Sequence, residues 1–220
     1  MNRKQYVVIG LGRFGSSVAT TLYSLGNDVL VIDKEENLIQ DISDNVTHAI
    51  QMDATDENAL KTIGIRNFDV GIVAIGHDIQ SSIMVTLLLK EFGINYVAGK
   101  GNNEQHAKVL RKIGADRVIL PEKDMGTRVA HSLVSTSMLD YIELSDEYSI
   151  LEMKIPSEWH NKSLSELKLR RKYGINVIAI KNGKDINISP SAEGLLGEGD
   201  AIVAIGSAED LAVLERKIAE

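Results

Sequence analysis

Tyr6-Val7-Val8-Ile9-Gly10-Leu11-Gly12-Arg13-Phe14-Gly15 is an apolar run that ends in Gly-x-Gly-x-x-Gly. Ser17, Val18, Ala19, Leu22 and Leu25 follow with helical character. The pattern predicts strand, tight turn, helix. Gly10 permits the turn, Gly12 lets a pyrophosphate approach the backbone, and Gly15 lets the helix pack close to the strand. Free N–H groups and the positive end of the helix dipole then face the phosphates. A second apolar run, Asp28-Val29-Leu30-Val31-Ile32, ends at Asp33 and Lys34. A ribose-binding carboxylate belongs about 20 residues beyond such glycines, where Asp33 stands.

Further apolar runs recur with helical spacers between them. Strands are expected at about 5–9, 28–32, 47–51, 69–75, 96–99 and 117–120. Helices are expected near 35–43, 56–62, 79–91, 104–112 and from 122 to about 135. Strand alternating with helix predicts a Rossmann-like, doubly wound parallel sheet of the α/β class. The strand ends then share one edge. Gly10–Gly15, Asp33, Asp53-Ala54-Thr55, Ala74-Ile75-Gly76 and Lys100 should line one crevice there.

Pro121 stops the last of these strands, and a crossover helix follows at about 122–136, closed by Ser135-Thr136-Ser137. Its Met125, Val129 and Leu133 need an apolar partner, such as a second subunit. The pattern changes beyond it. Residues 139–155 read as two strands joined at Ser145-Asp146-Glu147. A helix is expected from Ser163 to Lys172, with Ser163 and Glu166 as a capping box and Gly174 as C-cap. Strand 175–180, the Asn182-Gly183 hairpin, a return strand 185–189, strand 201–205 and a last helix 208–219 complete a small α+β lobe. The boundaries are therefore 1–137 and 138–220. The second lobe is near the lower size for independent folding and should dimerise to complete its core.

The 220 residues carry a net charge of −7, which argues against a nucleic-acid binder. There is no cysteine, so disulfides and thiolate metal sites are excluded. No apolar stretch approaches the roughly 18 residues that a membrane span requires, and no signal-peptide pattern opens the chain. The expectation is a cytoplasmic protein that reaches a membrane only through a partner. No Walker-type loop is present, and no His/Lys or Tyr/Lys constellation suggests a catalytic centre. The five histidines show no zinc-like spacing. Trp159 reads as a core or interface anchor.

The Gly-Leu-Gly-Arg-Phe-Gly turn, Asp33, Asp53-Ala54-Thr55, Pro121-Glu122-Lys123-Asp124-Met125-Gly126 and the module from Tyr173-Gly174 to Gly206 occur in this order. Together they resemble the RCK-domain (TrkA-N/TrkA-C) regulators of bacterial Ktr/Trk potassium uptake systems, the Gram-positive Ktr type above all. The resemblance covers nearly the whole chain. It implies a non-enzymatic regulatory subunit that binds ATP or ADP and gates a membrane-embedded potassium transporter. It implies homodimers assembled into a ring, typically an octamer. It places Gly10, Gly12 and Gly15 around the phosphates and Asp33 at the ribose, with Phe14 and Lys34 among the nucleotide-binding residues. Asp53, Ala54 and Thr55 then lie near the adenine. Arg13 reaches a terminal phosphate, and Lys100 lies near the phosphates or ribose, beside Ala74, Ile75 and Gly76. Glu122 is the implied ligand of a divalent or monovalent cation at the dimer interface. In the C-lobe the resemblance implies cyclic di-AMP as an inhibitory signal, held by Arg170 and Asn176 with Leu164, Ile178 and Pro190. The fingerprint itself fits NAD or NADH equally, which leaves an NAD(H)-dependent oxidoreductase or redox sensor as the alternative.

Overall fold

The computed structural model describes residues 3–134, 138–145 and 147–219. The Ser135-Thr136-Ser137 cluster, the expected boundary at 137 and Asp146 in the expected turn lie outside the described residues. The chain divides into two compact units, Met1–Lys123 and Asp124–Glu220.

The first unit has six parallel strands: β1 (Gln5–Ile9), β2 (Asp28–Asp33), β3 (His48–Gln51), β4 (Val70–Val73), β5 (Tyr96–Lys100) and β6 (Arg117–Ile119). Their order in the sheet is β3-β2-β1-β4-β5-β6. Helices α1 (Arg13–Ser24), α2 (Glu36–Ile42), α3 (Glu57–Thr62), α4 (Ile79–Glu91) and α5 (Glu104–Lys112) alternate with the strands. The inner strands are near-continuous apolar runs because helices cover both faces. Val7, Val8, Val29, Val31, Ile32 and Val73 are fully or almost fully buried. Two clusters divide them. Val7, Ile9 and Ile32 pack with Leu60, Leu89 and Phe92, and Val8 and Val31 pack with Ala19 and Ile42. The strand order reverses between β1 and β4, so a crevice opens where the loops after these neighbours diverge.

Helix α6 (Pro121–Val134) follows β6. Met125, Val129 and Leu133 are exposed along it at four-residue spacing.

The second unit carries an antiparallel sheet of order β10-β9-β11-β8-β7. Its strands are β7 (Met138–Glu143), β8 (Tyr148–Lys154), β9 (Asn176–Asn182), β10 (Asp185–Asn187) and β11 (Asp200–Ser207). Strand β8 alternates buried and less buried positions, with Ser149, Leu151 and Met153 facing inward. Leu151, Met153 and Ile202 pack with Leu211 and Leu214 of α9 (Ala208–Ala219). Trp159 is buried in the same core, as its expected anchoring role requires.

One expected helix is corrected. Residues 163–172 form two short helices, α7 (Leu164–Leu167) and α8 (Leu169–Tyr173). Lys168 separates them with φ +50, a left-handed conformation that ends the first helix. The Ser163–Glu166 capping box is present, and Gly174 closes α8 with φ +69. Some strands end earlier than expected: β4 stops at Val73, β6 at Ile119 and β10 at Asn187.

Candidate functional site

The three glycines of the first turn do different work. Gly10 has φ +96, and a Cβ there would lie 2.9 Å from the Ile75 nitrogen. Gly15 has no such torsion, yet a Cβ on it would lie 1.9 Å from the Gly10 carbonyl oxygen. This is the close helix-to-strand packing that the spacing predicts. Gly12 is different: a Cβ there would meet no atom within 4 Å. It is the N-cap of α1, with no side chain capping the helix, so the first N–H groups of α1 border open space. Free N–H donors and the positive end of the helix dipole suit an anion at this position. Arg13 stands beside it, exposed, with no ion pair or hydrogen bond recorded for its guanidinium among the described residues. Phe14 is half-buried in the same turn.

Asp33, at the end of β2, is tied to the turn. Leu11 N–H donates to Oδ2 at 2.6 Å and Glu35 N–H to Oδ1 at 3.0 Å. Each oxygen keeps a further acceptor site for a sugar hydroxyl. At the end of β3, the Thr55 hydroxyl and N–H donate to Asp53 Oδ1 at 2.7 and 2.9 Å. These bonds, the hydroxyl's first, hold the Asp53 carboxyl below the usual carboxylate range. Lys34 Nζ lies 4.0 Å from the same carboxylate, and Ala54 is buried beneath it. Asp33, Lys34, Asp53, Ala54 and Thr55 therefore share the β2–β3 side of the crevice.

The β4–β5 side is made from residues far apart in sequence. Ala74 is buried, and Ile75 and Gly76 are half-buried. Lys100 ends β5, and a Cβ built on Gly76 would lie 3.5 Å from its Nζ. Lys100 Nζ is 2.6 Å from Glu122 Oε1. That hydrogen bond lowers the Glu122 pKa. The Asn102 side chain donates to the Gly76 carbonyl, and its N–H donates to His106 Nδ1 at 3.3 Å. The sequence pattern did not mark Asn102 and His106, since the histidines show no metal-like spacing. The available signal was Asn103 capping α5 three residues before a histidine on the face of Ala107 and Leu110.

Glu122, the expected cation ligand, is exposed in the first turn of α6. Its carboxylate already neutralises Lys100, and no three His, Cys, Asp or Glu side chains come together among the described residues.

In the second unit, Arg170 on α8, Asn176 at the start of β9 and Ile178 are exposed. Leu164 packs partly on the core, and Pro190 is half-buried. Among the described residues no helix is long and apolar enough to cross a membrane.

The TrkA-N domain matches residues 6–121, and the TrkA-C domain matches residues 150–219. Ktr system potassium uptake protein A of Bacillus subtilis (strain 168) is 46% identical over 99% of this chain and 98% of its own length. Ktr system potassium uptake protein C of the same organism is 44% identical over 98% of each. The chain belongs to the Ktr family of potassium uptake proteins. A GsuK crystal structure bound to ADP is 26% identical over 60% of this chain and 34% of that chain, with a TM-score of 0.52. The RCK C domain of a KtrA, in complex with cyclic diadenosine monophosphate, is 43% identical over 34% of this chain and 88% of that chain, with a TM-score of 0.32.

Proposed function

We propose that this Ktr-family chain is a non-enzymatic regulatory subunit of a potassium transporter, and that it reads ATP against ADP in its first lobe. The observation that carries nucleotide binding is the unfilled space at Gly12, under the first N–H groups of α1. A nucleotide seated there puts its pyrophosphate on the helix N-terminus and its ribose hydroxyls on Asp33. The adenine lies toward Asp53, Ala54 and Thr55. Arg13 reaches the terminal phosphate with a guanidinium suited to paired contacts. Phe14, Lys34, Ala74, Ile75 and Gly76 border the ligand, and Lys100 supplies a second cation on the far side.

Regulation then needs only a difference in affinity between two shapes of the assembly. A tenfold ATP/ADP preference biases the equilibrium by about 1.4 kcal/mol per site, and sites in one ring add. Lobes 1–137 and 138–220 divide the work, the first for nucleotide and the second for dimerisation and a second signal. We place the assembly as a homodimer-based ring, an octamer, at the cytoplasmic face of a Ktr-type membrane subunit. Cyclic di-AMP would bind across the two-fold axis of the second lobe as an inhibitor. Two copies of Arg170 would meet its two phosphates, with Asn176, Leu164, Ile178 and Pro190 around the bases.

The test is rubidium uptake into proteoliposomes that hold a Ktr-type membrane subunit. Uptake should require this chain, rise with ATP, fall with ADP and fall again with cyclic di-AMP. Uptake indifferent to ATP and ADP would overturn the reading. Turnover of NADH by the purified chain would favour the oxidoreductase alternative.

A further inference from the structure

The crevice has a polar wall of which the proposed contacts use Gly76 and Lys100 but not Asn102. Asp33 and Asp53 stand at the ends of β2 and β3, on one side of the glycine turn. Gly76, Lys100 and Asn102 stand beyond β4 and β5, on the other. A nucleotide with its ribose at Asp33 and its pyrophosphate at Gly12 extends its terminal phosphate toward this second side.

Asn102 is exposed, and it is fixed at both ends. Its side-chain amide donates to the Gly76 carbonyl, and its backbone N–H donates to His106 Nδ1. One amide N–H remains for a further acceptor. His106 is 3% exposed, and its Nε2 has no hydrogen-bond partner among the described residues. Burial lowers its pKa, which keeps the ring neutral and leaves Nδ1 able to accept. A buried polar atom left unpaired is costly, so an aliphatic side chain would suit this position better for stability alone. The imidazole has one visible task, to hold the Asn102 backbone.

We propose that Asn102 contacts the terminal phosphate of the bound nucleotide, and that His106 is the positioning residue that sets Asn102 against Gly76. The inference rests on the nucleotide reading above. Through the Gly76 carbonyl, the same pair fixes the loop after β4 beside Lys100 Nζ.

The experiment is calorimetric titration of the full chain with ATP and with AMP, alongside thermal melting. Asn102→Ala should weaken ATP by about tenfold, the loss of one hydrogen bond to a charged group. AMP, which lacks the outer phosphates, should bind the variant as it binds the unsubstituted protein. His106→Leu should weaken ATP by about threefold while leaving the melting temperature unchanged or higher, since it removes an unpaired buried nitrogen. His106→Asn, which keeps an acceptor at the δ position, should restore ATP affinity even if it melts earlier. A purely structural histidine would move affinity and melting together, and that outcome would overturn the positioning role. Unaltered ATP affinity in Asn102→Ala, or equal losses for ATP and AMP, would overturn the phosphate contact. Absence of ATP binding to the unsubstituted chain would overturn the nucleotide reading, and this inference with it.

Discussion

Adding one methyl group to Gly12 and the same methyl group to Gly15 should have opposite consequences. Gly12 has φ −67 and ψ −179, a conformation open to any residue, and a Cβ there meets nothing within 4 Å. Gly12→Ala gains about 0.4–1 kcal/mol by restricting the unfolded chain. It loses a similar amount, about 0.5–1 kcal/mol, because alanine is a poorer N-cap than glycine. The two offset, and the melting temperature should stay within about 2 °C of the parent's. The methyl group nevertheless occupies the space where a phosphate must come within reach of the α1 N–H groups. ATP affinity should fall at least tenfold, about 1.4 kcal/mol. In Gly15→Ala the new Cβ lies 1.9 Å from the Gly10 carbonyl oxygen and 3.0 Å from Ala74 Cβ. Backbone must move to relieve that overlap, at about 3 kcal/mol or more. Melting should drop by roughly 6–12 °C at that cost. The assay is thermal melting and ATP titration of both variants. Gly12→Ala that binds ATP like the parent would refute the cradle. Gly12→Ala that melts as early as Gly15→Ala would refute the geometry behind it.

Other tests reach the rest of the chain. Acid stability should fall in two windows. Burial depresses the His106 pKa below 6.5, so the unfolded chain takes up that proton first and stability declines as pH falls below about 6.5. Asp116 is raised by burial, but its bonds from Val97 N–H and Lys90 Nζ, at 2.7 and 3.0 Å, outweigh this and leave it depressed. Its contribution is complete above about pH 4 and is lost as pH falls through the folded value. Urea titrations across pH should show both steps, with the first absent in His106→Asn and the second reduced in Asp116→Asn. Arg170→Ala changes an exposed side chain, so melting should hold within about 1 °C while cyclic di-AMP binding disappears from calorimetry. Met125→Ser with Leu133→Ser should shift the assembly to smaller species in analytical ultracentrifugation. Each exposed side chain forfeits about 1.5–3 kcal/mol of burial if it lies in a subunit contact.

The β1–turn–α1 unit was legible because each glycine answers a separate local demand that spacing alone encodes. The parallel sheet was legible because its inner strands must be apolar on both faces. The capping box at Ser163 and the left-handed Gly174 were equally local, and the sequence announced them. The break at Lys168 was not announced. A lysine between two leucines carries no turn signal, and only the packing of Leu167 and Leu169 into one core requires its left-handed backbone. The strand ends placed Gly76 and Lys100 in the crevice, but the contacts within the β4–β5 wall were illegible for another reason. Gly76, Lys100, Asn102, His106 and Glu122 meet only because the order β1-β4-β5-β6 sets those loops side by side. Nothing local in the sequence states that Lys100 pairs with Glu122. The likeness to the family pointed to both residues but in separate roles, Lys100 near the ligand and Glu122 at a cation.

The central claim is that this chain senses adenine nucleotide at the glycine turn. The most direct measurement is competitive calorimetry of the full chain with ATP, ADP and NADH, repeated on Arg13→Ala. The account predicts that ATP and ADP displace one another at a single site per chain, that NADH is weaker, and that Arg13→Ala binds ADP as before but no longer prefers ATP. NADH binding far more tightly than ATP, or an ATP/ADP preference untouched by Arg13→Ala, would contradict it.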